Sequence, residues 1–370
     1  MTAPTETEEK ELQEFYADLD KVALTPLWTI TKDLLTATPR PKAKPWLWPA
    51  RTYRPLAQRA VRLVPVERGG ERRVLSLVNP GLAGAPYAAG TLWGAVQCLG
   101  PGETAPAHRH TPGAIRFVLE GEGVFTTVNG DACDMYPGDL VLTPSWAWHD
   151  HQGGGETGML WFDGLDVPMV QALDAIFFEP HPLDSQPVDD RNASERTYAG
   201  RPGRFAEGAL GGGPETPLAP VSSPLLVYRW ADVDERLSAL AEADPDAASA
   251  EIEYTNPETG TAVLPTLSCH ALRVFAGRTT APRRITGNRV YVVHEGAGHS
   301  VIDGQRFDWE KGDMFAVPSW SVAEHHADVR ADMFAIGDAP VLRALGLYRE
   351  APAEQQPVTS VFTPLTGDGA

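Results

Sequence analysis

Apolar residues recur at helical spacing near the start of the chain, at Leu12, Phe15, Tyr16 and Leu19 and then at Leu27, Ile30 and Leu34. The spacing predicts two short helices within residues 6–37, broken at Thr25-Pro26, because the residue before a proline is pushed out of helical geometry. The stretch "PRPKAKPWLWP" follows as an extended crossing whose two tryptophans read as packing residues. From about residue 60 the period shortens. Runs such as "RRVLSLVNP", "GTLWGAVQCLG", "IRFVLEG", "GVFTTVNG", "DLVLTP" and "TGMLWFDG" alternate or cluster apolar residues, and most are bounded by Gly, Pro, Asn or Asp. Many short strands with regular turn signals predict an all-β sandwich or barrel. Residues 180–222, rich in Pro, Gly, Ser and Asp, predict a loop or linker, and "ADVDERLSALAEA" (231–243) predicts a helix.

The strand pattern then returns as an internal repeat. "VLEGEGVFTTVNGDACDMYPGDLVLTPSWAWHDH" aligns with "VHEGAGHSVIDGQRFDWEKGDMFAVPSWSVAEHH". The pairs Gly138-Asp139 and Gly312-Asp313 match, as do Pro144-Ser145-Trp146 and Pro318-Ser319-Trp320. Two similar β domains in tandem follow from this. The expected division is N-terminal helices and an extended arm over 1–60, a metal-binding β domain over 61–180, and a linker with a short helix over 181–250. A second, degenerate β domain over 251–350 and a tail over 351–370 complete it.

The formal net charge of −18 disfavours nucleic acid and anionic membranes, whose phosphates need Lys and Arg, but leaves room for a small anion held by local arginines. Three widely spaced cysteines, Cys98, Cys133 and Cys269, form no CxxC pair and predict a reduced, cytoplasmic protein. The acidic N-terminus lacks the basic-then-apolar pattern of a secretory signal, and no apolar run of membrane-spanning length occurs.

Four of the ten histidines lie in two alternating pairs, His108/His110 in "GETAPAHRH" and His149/His151 in "TPSWAWHDH". Alternate residues of a strand share a face, and neighbouring strands lie about 4.8 Å apart, so imidazoles of both pairs can meet around one ion. Opposite them in the repeat stand Arg283, Ile285 and Ala323, with His325 opposite His151. The second domain therefore keeps the shell and loses most metal-type residues, and one metal per chain is expected. Arg116 lies six residues after His110, an even offset that keeps it on the ligand face if the strand continues unbroken. A surface ion pair is its plain alternative, as hydrogen-bonded support is for His151 and a solvated loop carboxylate for Asp163.

The sequence resembles the cupins. "GETAPAHRH" fits a glycine, five residues and HxH; "GDLVLTPSWAWH" fits a glycine, five residues, proline and a histidine five further on. The usual glutamate ligand after HxH is absent, the region reading "TPGAIRF". Three histidines without that carboxylate, in a chain whose second half is degenerate, resemble the gentisate 1,2-dioxygenase family, which includes salicylate and 1-hydroxy-2-naphthoate 1,2-dioxygenases. The resemblance implies an all-β-dominated bicupin of two jelly-roll barrels with N-terminal and linker helices. It implies one Fe(II) per chain on His108, His110 and His149, with His151 as a non-ligand active-site histidine. Arg116 would hold the substrate carboxylate. Arg72, Asp163, Trp93, Gln97 and Ala95 would line the pocket. The implied reaction uses O2 to cleave the C1–C2 bond of a 2-hydroxy aromatic acid, gentisate to maleylpyruvate being favoured, in a homotetramer. 1-Hydroxy-2-naphthoate and salicylate remain as alternative substrates. A non-catalytic bicupin that binds an aromatic acid, and a zinc-dependent hydrolase or isomerase, remain as other classes, since three histidines alone do not separate iron from zinc.

Overall fold

The computed structural model describes residues 5–65, 73–154, 157–207 and 221–365. It divides into two compact units, 1–40 and 41–370. The first holds the two expected helices, Glu6–Lys21 and Leu27–Leu34, tied by a 3.0 Å bond from Trp28 Nε1 to Tyr16 Oη. Thr5 and Glu8 form a capping box at the start of the first helix.

The second unit is two eight-stranded jelly-roll barrels. The first barrel comprises β1 (Trp93–Leu99), β2 (Thr104–His110), β3 (Ala114–Glu120), β4 (Val124–Val128), β5 (Asp131–Asp134), β6 (Leu140–Thr143), β7 (His149–Gly153) and β8 (Met159–Leu165). The second comprises β9 (Ser268–Val274), β10 (Arg283–Ile285), β11 (Arg289–Glu295), β12 (Ala297–Ile302), β13 (Gln305–Glu310), β14 (Met314–Val317), β15 (Ala323–Ala327) and β16 (Ala331–Gly337). The first barrel faces the sheet β6-β3-β8-β1 with β2-β7-β4-β5; the second repeats the order as β14-β11-β16-β9 and β10-β15-β12-β13. The all-β-dominated bicupin expected from the sequence is the architecture observed.

Strand alternation sorts the apolar residues into three cores. Val118, Trp161 and Cys133 fill the first barrel, and Val293, Phe307 and Phe315 the second. The opposite faces of the two inner sheets meet in a third core, where Phe117 stacks on Phe334 with centroids 4.3 Å apart. Gly164 lies in that contact; a Cβ there would come within 2.6 Å of the Ile336 side chain.

The segments preceding each barrel cross over. Strand Trp46–Trp48 and helix Ala50–Leu63 precede the first barrel, yet the strand pairs with β14 of the second. Strand Val227–Tyr228 and helix Trp230–Ala243 precede the second, yet the strand pairs with β6 of the first. The repeated Gly-Asp pair receives each crossing helix. Asp139 Oδ1 accepts from Trp230 N at 3.0 Å, and Asp313 Oδ1 accepts from Ala50 N at 2.7 Å. Each carboxylate thus serves the unsatisfied N–H groups and positive end of a helix. Gly138 and Gly312 hold φ of 88° and 90°, and a Cβ on either would strike the first turn of its helix. The helix over Ala50–Leu63 was not expected from sequence. Its inward stripe, Ala50, Tyr53, Ala57, Ala60 and Val61, does fall at helical spacing, but its small side chains and the internal Pro55 hid the signal.

Candidate metal centre

β2 and β7 run antiparallel with His108 directly opposite His149. The register slips between Ala105 and His108, so three residues of β2 span what two span on β7. This bulge lets Ala105 and His108, an odd number apart, both face the barrel interior, and it exposes the Pro106 carbonyl locally. His108 Nδ1 donates to that carbonyl at 2.8 Å; His110 Nδ1 donates to Pro112 O at 2.7 Å, and His149 Nδ1 to Ala147 O at 3.0 Å. A carbonyl only accepts, so the three rings carry their proton on Nδ1 and turn the Nε2 lone pair toward a common point. One ligand atom from each ring lies within 4.8 Å of the others, and His149 Nε2 is buried without a hydrogen-bond partner. Burial holds the His149 pKa well below the usual histidine value, reinforced by Arg116, His108 and His110, which keeps the ring neutral and ready to ligate. A transition metal fits this donor set. Arg109, between the two pocket histidines, turns outward over the rings of Trp146 and Trp148 and pairs with Glu179 at 2.6 Å.

Arg116 is buried on the facing sheet. The strand expected to run on from His110 is broken: Thr111-Pro112-Gly113 turns the chain from β2 into β3, because Pro112 offers no N–H to a ladder. The two residues therefore face each other across the barrel instead of lying along one strand. Arg116 Nη1 donates to Thr143 Oγ1, and its Nε, 3.5 Å from Asp163 Oδ1, has no hydrogen-bond partner. Asp163 pairs in register with both Arg116 and Ala95 and accepts from Trp161 Nε1 at 3.1 Å. Burial raises its pKa to about 6, with Arg116 and the indole opposing.

His151 also faces inward, its Nδ1 2.8 Å from Thr126 Oγ1. Thr126 gives its own hydroxyl proton to Met135 Sδ at 3.0 Å, so the imidazole Nδ1–H donates to the threonine oxygen and Nε2 is left as an acceptor. Burial first, then Arg116 and His108, hold the ring neutral. Trp93, Ala95 and Gln97 share the inner face of β1 with Leu99; Trp93 Nε1 donates to Ser76 Oγ at 3.1 Å. Arg72 lies outside the described residues. The sequence reading missed Thr126, Thr143 and Trp161, the groups that fix His151, Arg116 and Asp163. The alternation of "GVFTTVNG" turns Thr126 inward with Val124, a signal that was available.

At the corresponding positions of the second barrel, Arg283 faces Ala323, and Trp320 N donates to Ile285 O as Trp146 N does to His110 O. The repeat alignment thus holds in three dimensions. A second group of potential metal ligands among the described residues, His299, His326 and Asp328, includes the exposed Asp328.

Residues 95–167 match the cupin domain family. The chain is 44% identical to a gentisate 1,2-dioxygenase of Streptomyces over 96% of its own length and 99% of that protein's. It is 35% identical to a 5-aminosalicylate 1,2-dioxygenase of Comamonas over 98% and 96% of the two chains. A crystal structure of salicylate 1,2-dioxygenase from Pseudoaminobacter salicylatoxidans, described as adducts with gentisate, superposes with a TM-score of 0.84 at 40% identity, covering 96% of each chain. Fold, three-histidine pocket and these likenesses together define a bicupin ring-cleaving dioxygenase. The chain belongs to the gentisate 1,2-dioxygenase family.

Proposed function

We propose that the protein binds one Fe(II) per chain through His108, His110 and His149 and uses O2 to cleave gentisate between C1 and C2, giving maleylpyruvate. The observation that carries the reading is a buried guanidinium, Arg116, facing three imidazoles whose protons are all tied back to carbonyls. The gentisate named for the Streptomyces relative and for the solved adduct supports this substrate.

Bound Fe(II) would supply the redox chemistry that lets O2 react with an aromatic ring. Arg116 binds the substrate carboxylate with its planar fork, and Asp163, held by the Trp161 indole, sets the angle of that fork. His151 Nε2, an acceptor in a neutral ring, takes the proton of the ring hydroxyl. Trp93 and Gln97 form the pocket wall, and the small Ala95 leaves room between them. The same reading assigns 61–180 to the metal-binding domain and 251–350 to the degenerate one.

An oxygen electrode with iron-loaded protein tests the reading against gentisate, salicylate and 1-hydroxy-2-naphthoate in parallel. Uptake with gentisate and formation of a ring-opened product are expected. Full iron occupancy with no uptake on any of the three would leave an aromatic-acid binder instead, and zinc in protein purified without added metal would point to hydrolysis. The same proposal has the enzyme cytoplasmic and tetrameric. Three free, buried thiols and the exposed Trp28, Leu34 and Leu35 of the N-terminal unit are what supports it. Light scattering on a sizing column gives the mass.

A further inference from the structure

An open cavity of about 520 Å³, in the range of small-molecule sites, leads into the second barrel. Strand register makes it the counterpart of the metal pocket. Arg283 stands opposite Ala323 as His108 stands opposite His149. Tyr291 pairs with Ala335 as Arg116 pairs with Asp163, and His325 meets Ser300 as His151 meets Thr126. The fixed charge of a guanidinium replaces metal-type ligands.

The cavity presents hydrogen-bond donors. Arg289 lines it, is only 6% exposed, and leaves Nη2 without a partner while Nη1 lies 3.5 Å from Tyr291 Oη. Arg283 is engaged by Glu251 at 2.9 Å, with Glu350 at 3.9 Å, so those two carboxylates are directed at Arg283. Ser300 Oγ accepts from Trp309 Nε1 at 2.9 Å and shares a 2.8 Å hydrogen bond with His325 Nδ1, which fixes the His325 ring in the cavity wall. Leu272, Ile285 and Val317 give the same cavity an apolar wall. A buried donor without a partner is costly, and an acceptor with an apolar body satisfies both sets of groups.

We propose that the second barrel is a binding site for a small organic carboxylate, its oxygens held by Arg289 and its apolar part against Leu272, Ile285 and Val317. This site is separate from the ring-cleaving one and does not rest on the choice of substrate there.

Equilibrium dialysis of the iron-loaded full chain against radiolabelled benzoate tests it. The expected result is a benzoate equivalent that weakens by at least about 10-fold in Arg289→Gln, as loss of a charge-assisted pair predicts, and in the cavity-filling Ala323→Phe, but survives in Arg116→Met. Oxygen uptake with gentisate should persist in the two second-barrel variants. The proposal is overturned if every bound benzoate is lost in Arg116→Met, or if none responds to Arg289→Gln or Ala323→Phe. Ala323→Phe keeps the test open should Arg289→Gln fold poorly, and oxygen uptake separates failure of this site from failure of the ring-cleavage reading.

Discussion

His108, His110 and His149 each spend Nδ1–H on a carbonyl two residues away in sequence, so the local backbone sets the tautomer of every ring. Removing one ring leaves two donors, too few for a tight site, and His149→Ala should purify with less than about a tenth of wild-type metal, the lower end of what ligand-shell losses cause. His151→Ala should keep full metal occupancy and lose turnover, because its ring stands outside the group of three whose ligand atoms converge within 4.8 Å. Metal analysis beside oxygen uptake separates the two; iron lost from His151→Ala would make it a ligand. Arg116→Met should raise the KM for gentisate by about 10–100-fold, the scale of a lost charge-assisted pair. Asp163 gives a pH signature. Its folded pKa of about 6 lies above its unfolded value, so ionising it costs the folded state. Stability conferred by the protonated form is full below the unfolded pKa and is lost as pH rises from about 4 to about 6, at no more than about 1.4 kcal/mol per pH unit. Asp163→Asn should flatten that slope in urea unfolding of the metal-free protein. The histidines were legible because an HxH pair in a strand has one geometric meaning. Their carbonyl partners were not, because a β-bulge and a proline turn make those carbonyls available, and neither device leaves a pattern in side-chain chemistry.

Among elements, the repeated Gly-Asp pair shows how far sequence carries. The match of Gly138-Asp139 to Gly312-Asp313 was plain, and so was the two-barrel fold that it marks. Its purpose was hidden, because the helix that each aspartate receives comes from a segment 91 residues later in one case and 263 earlier in the other. Local periodicity says nothing about partners so far apart. The helix Ala50–Leu63, amphipathic but interrupted by Pro55, is stabilised by tertiary contacts, Tyr53 Oη donating to Gly312 O at 2.5 Å among them, and these offset the internal proline. Asp313→Ala removes an N-terminal partner of a buried helix start and should cost about 1–2 kcal/mol. Asp139→Ala also strips Arg229 of a buried partner and should cost more, about 3 kcal/mol. Paired denaturant curves with unchanged slope would check both values.

At the scale of the whole molecule, the crossed segments make each barrel incomplete without the other half of the chain. β6 of the first barrel is flanked by Val227–Tyr228, and β14 of the second by Trp46–Trp48. Without those strands, each inner sheet gains an open edge. Separating the barrels also exposes the face carrying Ile115, Phe117 and Phe162 on one side and Val290, Val292 and Phe334 on the other, all fully buried. A contiguous apolar face of that kind drives association or precipitation in a free monomer. The expectation is that residues 1–207 and 221–370, produced separately, are each insoluble or aggregated. Produced together as two polypeptides, they should co-purify in equal amounts and bind iron, because three strand pairings, two helix starts and the central core all cross the cut. Thermal unfolding of the intact chain should then be one cooperative transition. A first half that stays monomeric and holds metal alone would mean that the second barrel contributes nothing to folding of the first, and the crossed strands would be attachments that each barrel can do without.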